Sequence, residues 1–239
     1  SVKWADQIVV LDCGSTDDTF NIARKYTNDL EVIENHPNLN INKNKAIDKC
    51  TYEWVFILDA DEVIPYDLAG EIRRIINEGN STNGFMVPRR NFVLGKWMKR
   101  GSQYPDYQLR LFRKEKGRFP AVHVHERLEV EGQIAELSIP FDHHPYPTLS
   151  SMMRKNRRDF EFEAQYLFDQ GIRSSGTGTA FRILTSVPVR FFRRYFLKLG
   201  FLDGIQGLIV SWFDVANIVQ RWFRLWELSK HSQQLDKND

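Results

Sequence analysis

Two rhythms of apolar and polar residues divide this chain, and the change between them falls near residue 80. Before it, short β-rich runs alternate with stretches of helical spacing. DQIVVLD (residues 6–12) predicts a strand. The CGSTDDT that follows predicts a turn in which Ser15 or Thr16 caps a helix carrying Asp17 and Asp18 in its first turn. Phe20, Ile22, Ala23 and Tyr26 mark that helix, EVIE a second strand, NKNKAIDKC a second helix and EWVFILD a third strand. Leu68, Ile72, Ile75 and Ile76 share one face of a third helix. Strands alternating with helices predict a parallel α/β sheet. From GFMVPRR onward the strands YQLRLFR, RLEVEG and AELSIPF follow without helices between them, so the rest of the sheet is expected to be antiparallel or mixed.

The last third has a different character. Leu149, Met152, Met153, Phe160, Ala164 and Leu167 form one helical stripe, which predicts a helix packed on the sheet domain. SSGTGT predicts a flexible break. The expected division is therefore a sheet domain over residues 1–172 and a helical region over 179–239. That region interleaves Phe and Trp with Arg182, Arg190, Arg193, Arg194, Lys198, Arg221 and Arg224, as helices lying in an anionic membrane interface do. A helical hairpin covering the core, or forming an oligomer, fits the same pattern. Asp203 and Asp214 argue against a full span, and no uncharged apolar run reaches the ~18 residues needed to cross a bilayer.

Composition narrows the function. A chain of 239 residues with 42% hydrophobic content can bury one large core, or a core and a smaller appendage. A net charge of +2 excludes the basic excess of a nucleic-acid-binding domain. Cys13 and Cys50, the only cysteines, match no metal-ligand spacing and no disulfide framework, so the expected compartment is the cytosol.

Candidate chemistry centres on EWVFILDADE, where an apolar run ends in Asp59, Asp61 and Glu62. Ligands of open α/β sheets sit beyond the carboxyl ends of the parallel strands, where both Asp12 and this cluster fall. Like charges a few ångströms apart resist joint ionisation, so the cluster calls for a counter-charge. A divalent cation, Mg²⁺ or Mn²⁺, held together with the oxygens of a diphosphate would supply it. The competing reading is that Asp61 or Glu62 caps a helix starting near Pro65. A metal-dependent nucleotidyltransferase on a doubly wound sheet, or a non-catalytic membrane-bound scaffold derived from a transferase, remain alternatives.

VVLDCGSTDDT, the helix bearing Lys43, Asn44 and Lys45, and WVFILDADEVIP together resemble the family 2 glycosyltransferases, inverting enzymes of the GT-A fold that use nucleotide sugars. PDYQLRLFRKEKGRF, VHVHERLEVEG, FDHHPYPTLSSMMRKNRR and RRYFLKLGFLDGIQGL resemble more narrowly the bacterial lipopolysaccharide-core β-glycosyltransferases. The resemblance implies a Rossmann-like GT-A mixed sheet flanked by helices, with a C-terminal helical membrane-interface region. It implies transfer of a sugar, a hexose such as glucose, from a nucleotide-diphosphate donor to a lipid-linked saccharide, with inversion and at the inner face of the cell membrane. It also implies a strand and an Asn-Glu turn ahead of the helix in which this sequence begins at Ser1.

On the matching positions the resemblance makes Asp61 the metal ligand, while Asp59 bonds the ribose or shares the metal. Asp12 lies by the nucleotide base, and Cys13 stands where many members carry an aspartate for uracil. Lys43 and Asn44 then recognise the base or line a solvated helix face. His143, with His144 adjoining it, joins the metal or is a hydrogen-bonded structural group. Gly84 allows close approach of the donor sugar or serves a turn. The base that takes the acceptor proton is Glu126, with His123 and His125 nearby in sequence, or Asp106 after Pro105. Arg110 and Arg113 face a phosphorylated ligand or solvent.

Overall fold

A computed structural model describes residues 1–36, 38–79, 81–120 and 127–235. Its elements run β1 (Val10–Asp12), α1 (Thr19–Ala23), β2 (Leu30–Val32), α2 (Leu39–Lys49), β3 (Trp54–Phe56), β4 (Glu62–Val63) and α3 (Tyr66–Glu78). There follow β5 (Gly84–Val93), β6 (Lys96–Trp97), β7 (Asp106–Arg113), β8 (Gly117–Arg118), β9 (Glu129–Val130), β10 (Ile134–Glu136) and β11 (Phe141–Tyr146). Three helices close the chain: α4 (Leu149–Asp169), α5 (Gly176–Phe192) and α6 (Gly204–Leu235). They divide into one unit of Ser1–Arg89 with Tyr107–His143 and another of Arg90–Asp106 with His144–Asp239.

In the first unit β1 and β2 pair in parallel as a two-stranded sheet, Val10 opposite Leu30. The larger sheet runs β3-β7-β5-β11-β4. β3 joins it antiparallel to β7, with Val55 opposite Phe112, and β10 joins β5 in parallel. The sheet is mixed, as expected, but parallel pairing in the first half is confined to β1 and β2 among the described residues. α3 buries Leu68, Ala69 and Ile72 against Phe85, Val87, Leu111 and Phe141 of the sheet. A second cluster joins Ile47 of α2 to Val55, Phe112, Phe119 and Leu128.

The cap expected for α1 is absent. Ser15 gives both its N–H and its hydroxyl to Asp12 Oδ1, at 2.9 and 2.6 Å, and the helix starts only at Thr19. Asp12 outcompetes the helix for Ser15 because an aspartate at a strand end readily closes an Asx turn.

The second unit is built on α6, against which α4 and α5 pack. Its core joins Val93, Met98, Met152 and Val210. Of the stripe expected on α4, Met152 and Ala164 are buried while Leu149 and Met153 are exposed. SSGTGT is no flexible break: Ser175 caps α5 by accepting from Gly178 N–H, and Ser174 N–H donates to Ser229 Oγ of α6 at 3.0 Å. Capping by serine stabilises a helix by ~1 kcal/mol, enough to offset one glycine in the first turn. Asp214 is clamped by Arg190 and Arg194; burial works to raise its carboxyl, and the two guanidiniums outweigh that and hold it below its ordinary value. Residues Gly200–Ser232 are long and apolar enough to cross a bilayer by length and composition. A count of uncharged residues missed that property.

Gly207 lies against Gly200: a Cβ built on it would stand 1.9 Å from the Gly200 carbonyl oxygen. Ordinarily Gly→Ala inside a helix gains up to ~1 kcal/mol. Here Gly207→Ala is expected to lower stability by about 1–3 kcal/mol, the usual cost of overpacking. Thermal denaturation decides, since an unchanged or raised Tm would deny the close approach.

Candidate active site

The Asp59 to Glu62 loop follows β3 and leads into β4, the edge strand beside β11. Glu62 is buried, and its Oε2 accepts from Asp59 N–H at 2.9 Å. Neither Asp61 nor Glu62 caps α3, whose N-cap is Pro65 with no side-chain hydrogen bond. Glu62 instead closes its own loop and receives charge from two sides, from Arg110 Nη2 and from Arg89 Nη1 at 3.6 Å. Arg110 also reaches Asp59 Oδ2 at 3.0 Å, and Lys43 reaches Asp59 Oδ1 at 2.8 Å. Burial would raise the Asp59 carboxyl, but Arg110 and Lys43 outweigh it and hold it at about 2. The counter-charge the sequence calls for is therefore supplied to Asp59 and Glu62 by the protein itself.

Asp61 is placed differently. β11 pairs antiparallel with β4, setting His143 opposite Glu62, and His143 Nε2 lies 3.4 Å from Asp61 Oδ2. Successive strand residues point to opposite faces. His144 accordingly turns away and stacks on Phe92, ring centres 4.7 Å apart. Among the described residues no group of three His, Cys, Asp or Glu could hold a metal. One carboxylate and one imidazole nevertheless suit an ion such as Mn²⁺ or Mg²⁺ that takes its other ligands from a diphosphate and water.

Around β1 the polar side chains come from α2, whose buried positions are Asn40, Asn42, Asn44 and Ile47. Asn44 Nδ2 donates to Phe119 O at 2.9 Å and its Oδ1 accepts from Phe119 N–H at 3.1 Å. As placed, that amide holds the backbone leading to residues 121–126. Asn42 gives its amide to Cys13 Sγ at 3.4 Å, while its buried Oδ1 has no hydrogen-bond partner among the described residues. The apolar pattern of α2 does not mark Asn42, which stands five residues before Ile47 and so about 140° round the helix from it.

Other expectations resolve unevenly. Packing accounts for Gly84, since a Cβ there would meet Val130 and Leu109 at 3.1 and 3.2 Å. Asp106 is the first residue of β7, and its Oδ2 accepts from the buried Asn91 amide at 3.0 Å. Glu126, with His123 and His125, lies outside the described residues. Arg110 and Arg113 both meet carboxylates of the protein: Arg110 is buried on Asp59 and Glu62, and Arg113 pairs with Glu53 over the Trp54 ring. The signal for Arg110 was its place in the apolar run QLRLF, because a buried arginine must be paired.

The model of glycosyl transferase family 2 matches residues 4–128, more than half of the chain. This chain belongs to that family, and its mixed sheet flanked by helices is the GT-A α/β fold. Membership sets the nucleotidyltransferase alternative aside. The chain is 25% identical over 234 residues to a lipopolysaccharide core biosynthesis glycosyltransferase of Rhizobium meliloti, covering 92% of this chain and 85% of the relative. It is 26% identical over 251 residues to an uncharacterized glycosyltransferase of Rickettsia prowazekii, covering 98% and 82%. It is 35% identical over 72 residues to the glycosyltransferase SunS of Bacillus subtilis, covering 29% of this chain and 17% of that one.

Proposed function

We propose that this glycosyltransferase moves a hexose from a nucleotide-diphosphate donor to a lipid-linked saccharide of the lipopolysaccharide-core type, with inversion, at the inner face of the cell membrane. The observation that carries the reading is the juxtaposition of Asp61 and His143, 3.4 Å apart, beside the Asp59 that Arg110 and Lys43 keep ionised.

In this reading Asp61 and His143 hold the divalent ion, which when bound stabilises the charge of the departing diphosphate. Asp59, kept ionised by its two cations, accepts from the ribose hydroxyls. Asp12 orders the turn beside the nucleotide base, where the buried Asn42 Oδ1 accepts a donor from the base edge, and Lys43 approaches the diphosphate. Asn44 acts on the chain rather than on the ligand. An inverting transfer needs one carboxylate to take the acceptor proton as that oxygen attacks the anomeric carbon. Asp106 Oδ2 already accepts from the buried Asn91 amide, which occupies one of the two oxygens it would use as a base. Glu126 is the base of this proposal.

Assay with nucleotide-diphosphate hexoses and a lipid-linked core saccharide tests the whole reading, with the anomeric configuration of the product read by NMR. Glu126→Gln is expected to lower kcat by about a hundredfold or more with donor binding kept, and Asp106→Asn to do much less. The reverse ranking would move the role to Asp106, and retention of configuration would sink the inverting mechanism.

A further inference from the structure

α5 leads through a π-helical turn (Arg193–Leu197) and a 3-10 turn (Gly200–Asp203) into α6. At this bend Phe196, Leu197, Phe201, Leu202 and Ile205 are between 42% and 65% exposed. Large apolar side chains exposed together, rather than singly, mark an interaction surface. The bend is also held firmly: a Cβ on Gly200 would stand 2.9 Å from the Arg194 carbonyl oxygen, so the two turns are closely packed.

Basic side chains predominate around the bend. Between residues 180 and 212 the exposed charged side chains are Arg182, Arg190, Arg193 and Lys198, of which Arg190 is taken up by Asp214. The single acid of that stretch, Asp203, is buried and used as a fastener. Its Oδ2 accepts from Lys99 and Arg100 N–H at 3.1 and 2.7 Å, and its carbonyl oxygen accepts from Lys96 Nζ at 2.6 Å. Gly101 N–H donates to Lys198 O at 2.8 Å. These bonds fix the loop after β6, with the exposed side chains of Lys99 and Arg100, beside the apolar bend.

We propose that the bend at residues 196–205 and the loop at 96–100 form one docking surface for an anionic bilayer. Phe196, Leu197, Phe201, Leu202 and Ile205 enter the boundary between headgroups and acyl chains, and Lys99, Arg100 and Lys198 meet lipid phosphates. Asp203 is the positioning residue that joins the two halves. The occupant follows from the charge: a second copy of this surface would bring basic groups against basic groups, whereas anionic headgroups complement them. This inference rests on the proposal of a lipid-linked acceptor and says which surface faces the lipid. It assigns the attachment to the bend and the first turn of α6 rather than to the length of that helix, along which α4 and α5 pack.

The test is sedimentation of the full chain with vesicles rich in phosphatidylglycerol or made of phosphatidylcholine alone, with binding of a nucleotide-diphosphate sugar measured in parallel. The intact chain is expected to pellet with the anionic vesicles and far less with the neutral ones. Lys99→Glu with Arg100→Glu should weaken anionic binding by about 25-fold or more, since each basic residue near such a surface is worth about fivefold. Phe201→Ser with Leu202→Ser should lose both vesicle types. Both variants should keep donor binding, which also certifies their fold. Equal binding of the intact chain to the two vesicle types overturns the proposal, as does wild-type pelleting by either variant. A dimer that the Phe201 and Leu202 changes convert to monomer would show that a second copy covers the bend, and equally overturns it. If vesicles bind as expected and the intact chain takes no nucleotide-diphosphate sugar, the transferase reading fails and the docking surface stands.

Discussion

Arg110→Met is expected to cost about 3–5 kcal/mol of stability, because it removes the shared counter-charge of two carboxylates and leaves a buried charge unpaired. Glu62 feels the loss most. Its carboxylate is wholly buried, and its remaining cation, Arg89, stands 3.6 Å away. Asp59 is about a third exposed and keeps Lys43, so its share is smaller. Denaturant unfolding followed by circular dichroism measures the change. Arg110→Met combined with Glu62→Leu should recover much of it, since replacing both buried partners by apolar groups is often neutral. A single-variant loss below about 1 kcal/mol, the range of exposed pairs, would show that Arg110 is not the counter-ion. Acid sensitivity gives a second readout. The Asp59 carboxyl is depressed from 3.8 to about 2, so its contribution is complete above that ordinary value and disappears as pH falls through about 2. Without Arg110 the carboxyl moves back toward its ordinary value, so the variant should lose less stability than the parent chain as pH falls from 3.8 to about 2.

Asp61→Asn is expected to remove metal-dependent binding of a uridine or related nucleotide diphosphate almost entirely. Losing a partner that merely supports a ligand costs roughly 10–100-fold in metal affinity, and losing a direct anionic ligand from a site with few should exceed that. His143→Ala should fall nearer that range, because a neutral imidazole contributes less to a hard cation than a carboxylate does. Asp59→Asn separates two roles for the neighbouring aspartate: with its charge already met by Lys43 and Arg110, it should leave the affinity for Mn²⁺ largely intact. Calorimetry with Mn²⁺ and the nucleotide reads all three variants. Unchanged affinity in a folded Asp61→Asn chain would remove the residue from the metal, and a collapse in Asp59→Asn would transfer the assignment to it.

The alternation of strands and helices, the switch to consecutive strands and the carboxylate cluster were all legible, because each depends on residues close in sequence. What supplies the counter-charge was not. Arg110 comes from β7 and is separated from Asp59 by 51 residues, and only pairing across the sheet brings them together. Local chemistry misled where two neighbours competed for one group. Ser15 looked like a helix cap until Asp12 claimed it, and the glycines of SSGTGT looked like a break until Ser174 and Ser175 fixed the turn. The division into units was hidden for another reason: β5 and β11 each run from one unit into the other, so no linker composition marks the crossing.

The joint between Asp203 and the loop after β6 sets a schedule for the newborn chain. Lys96 precedes its partner by 107 residues. At a synthesis rate of 5–20 residues per second, that loop emerges roughly 5–20 seconds before Asp203 exists. Throughout that interval Met98 waits for the Val210 that will cover it. The chain is thus translated with an apolar segment in its middle uncovered for those seconds, an exposure that the finished fold no longer shows.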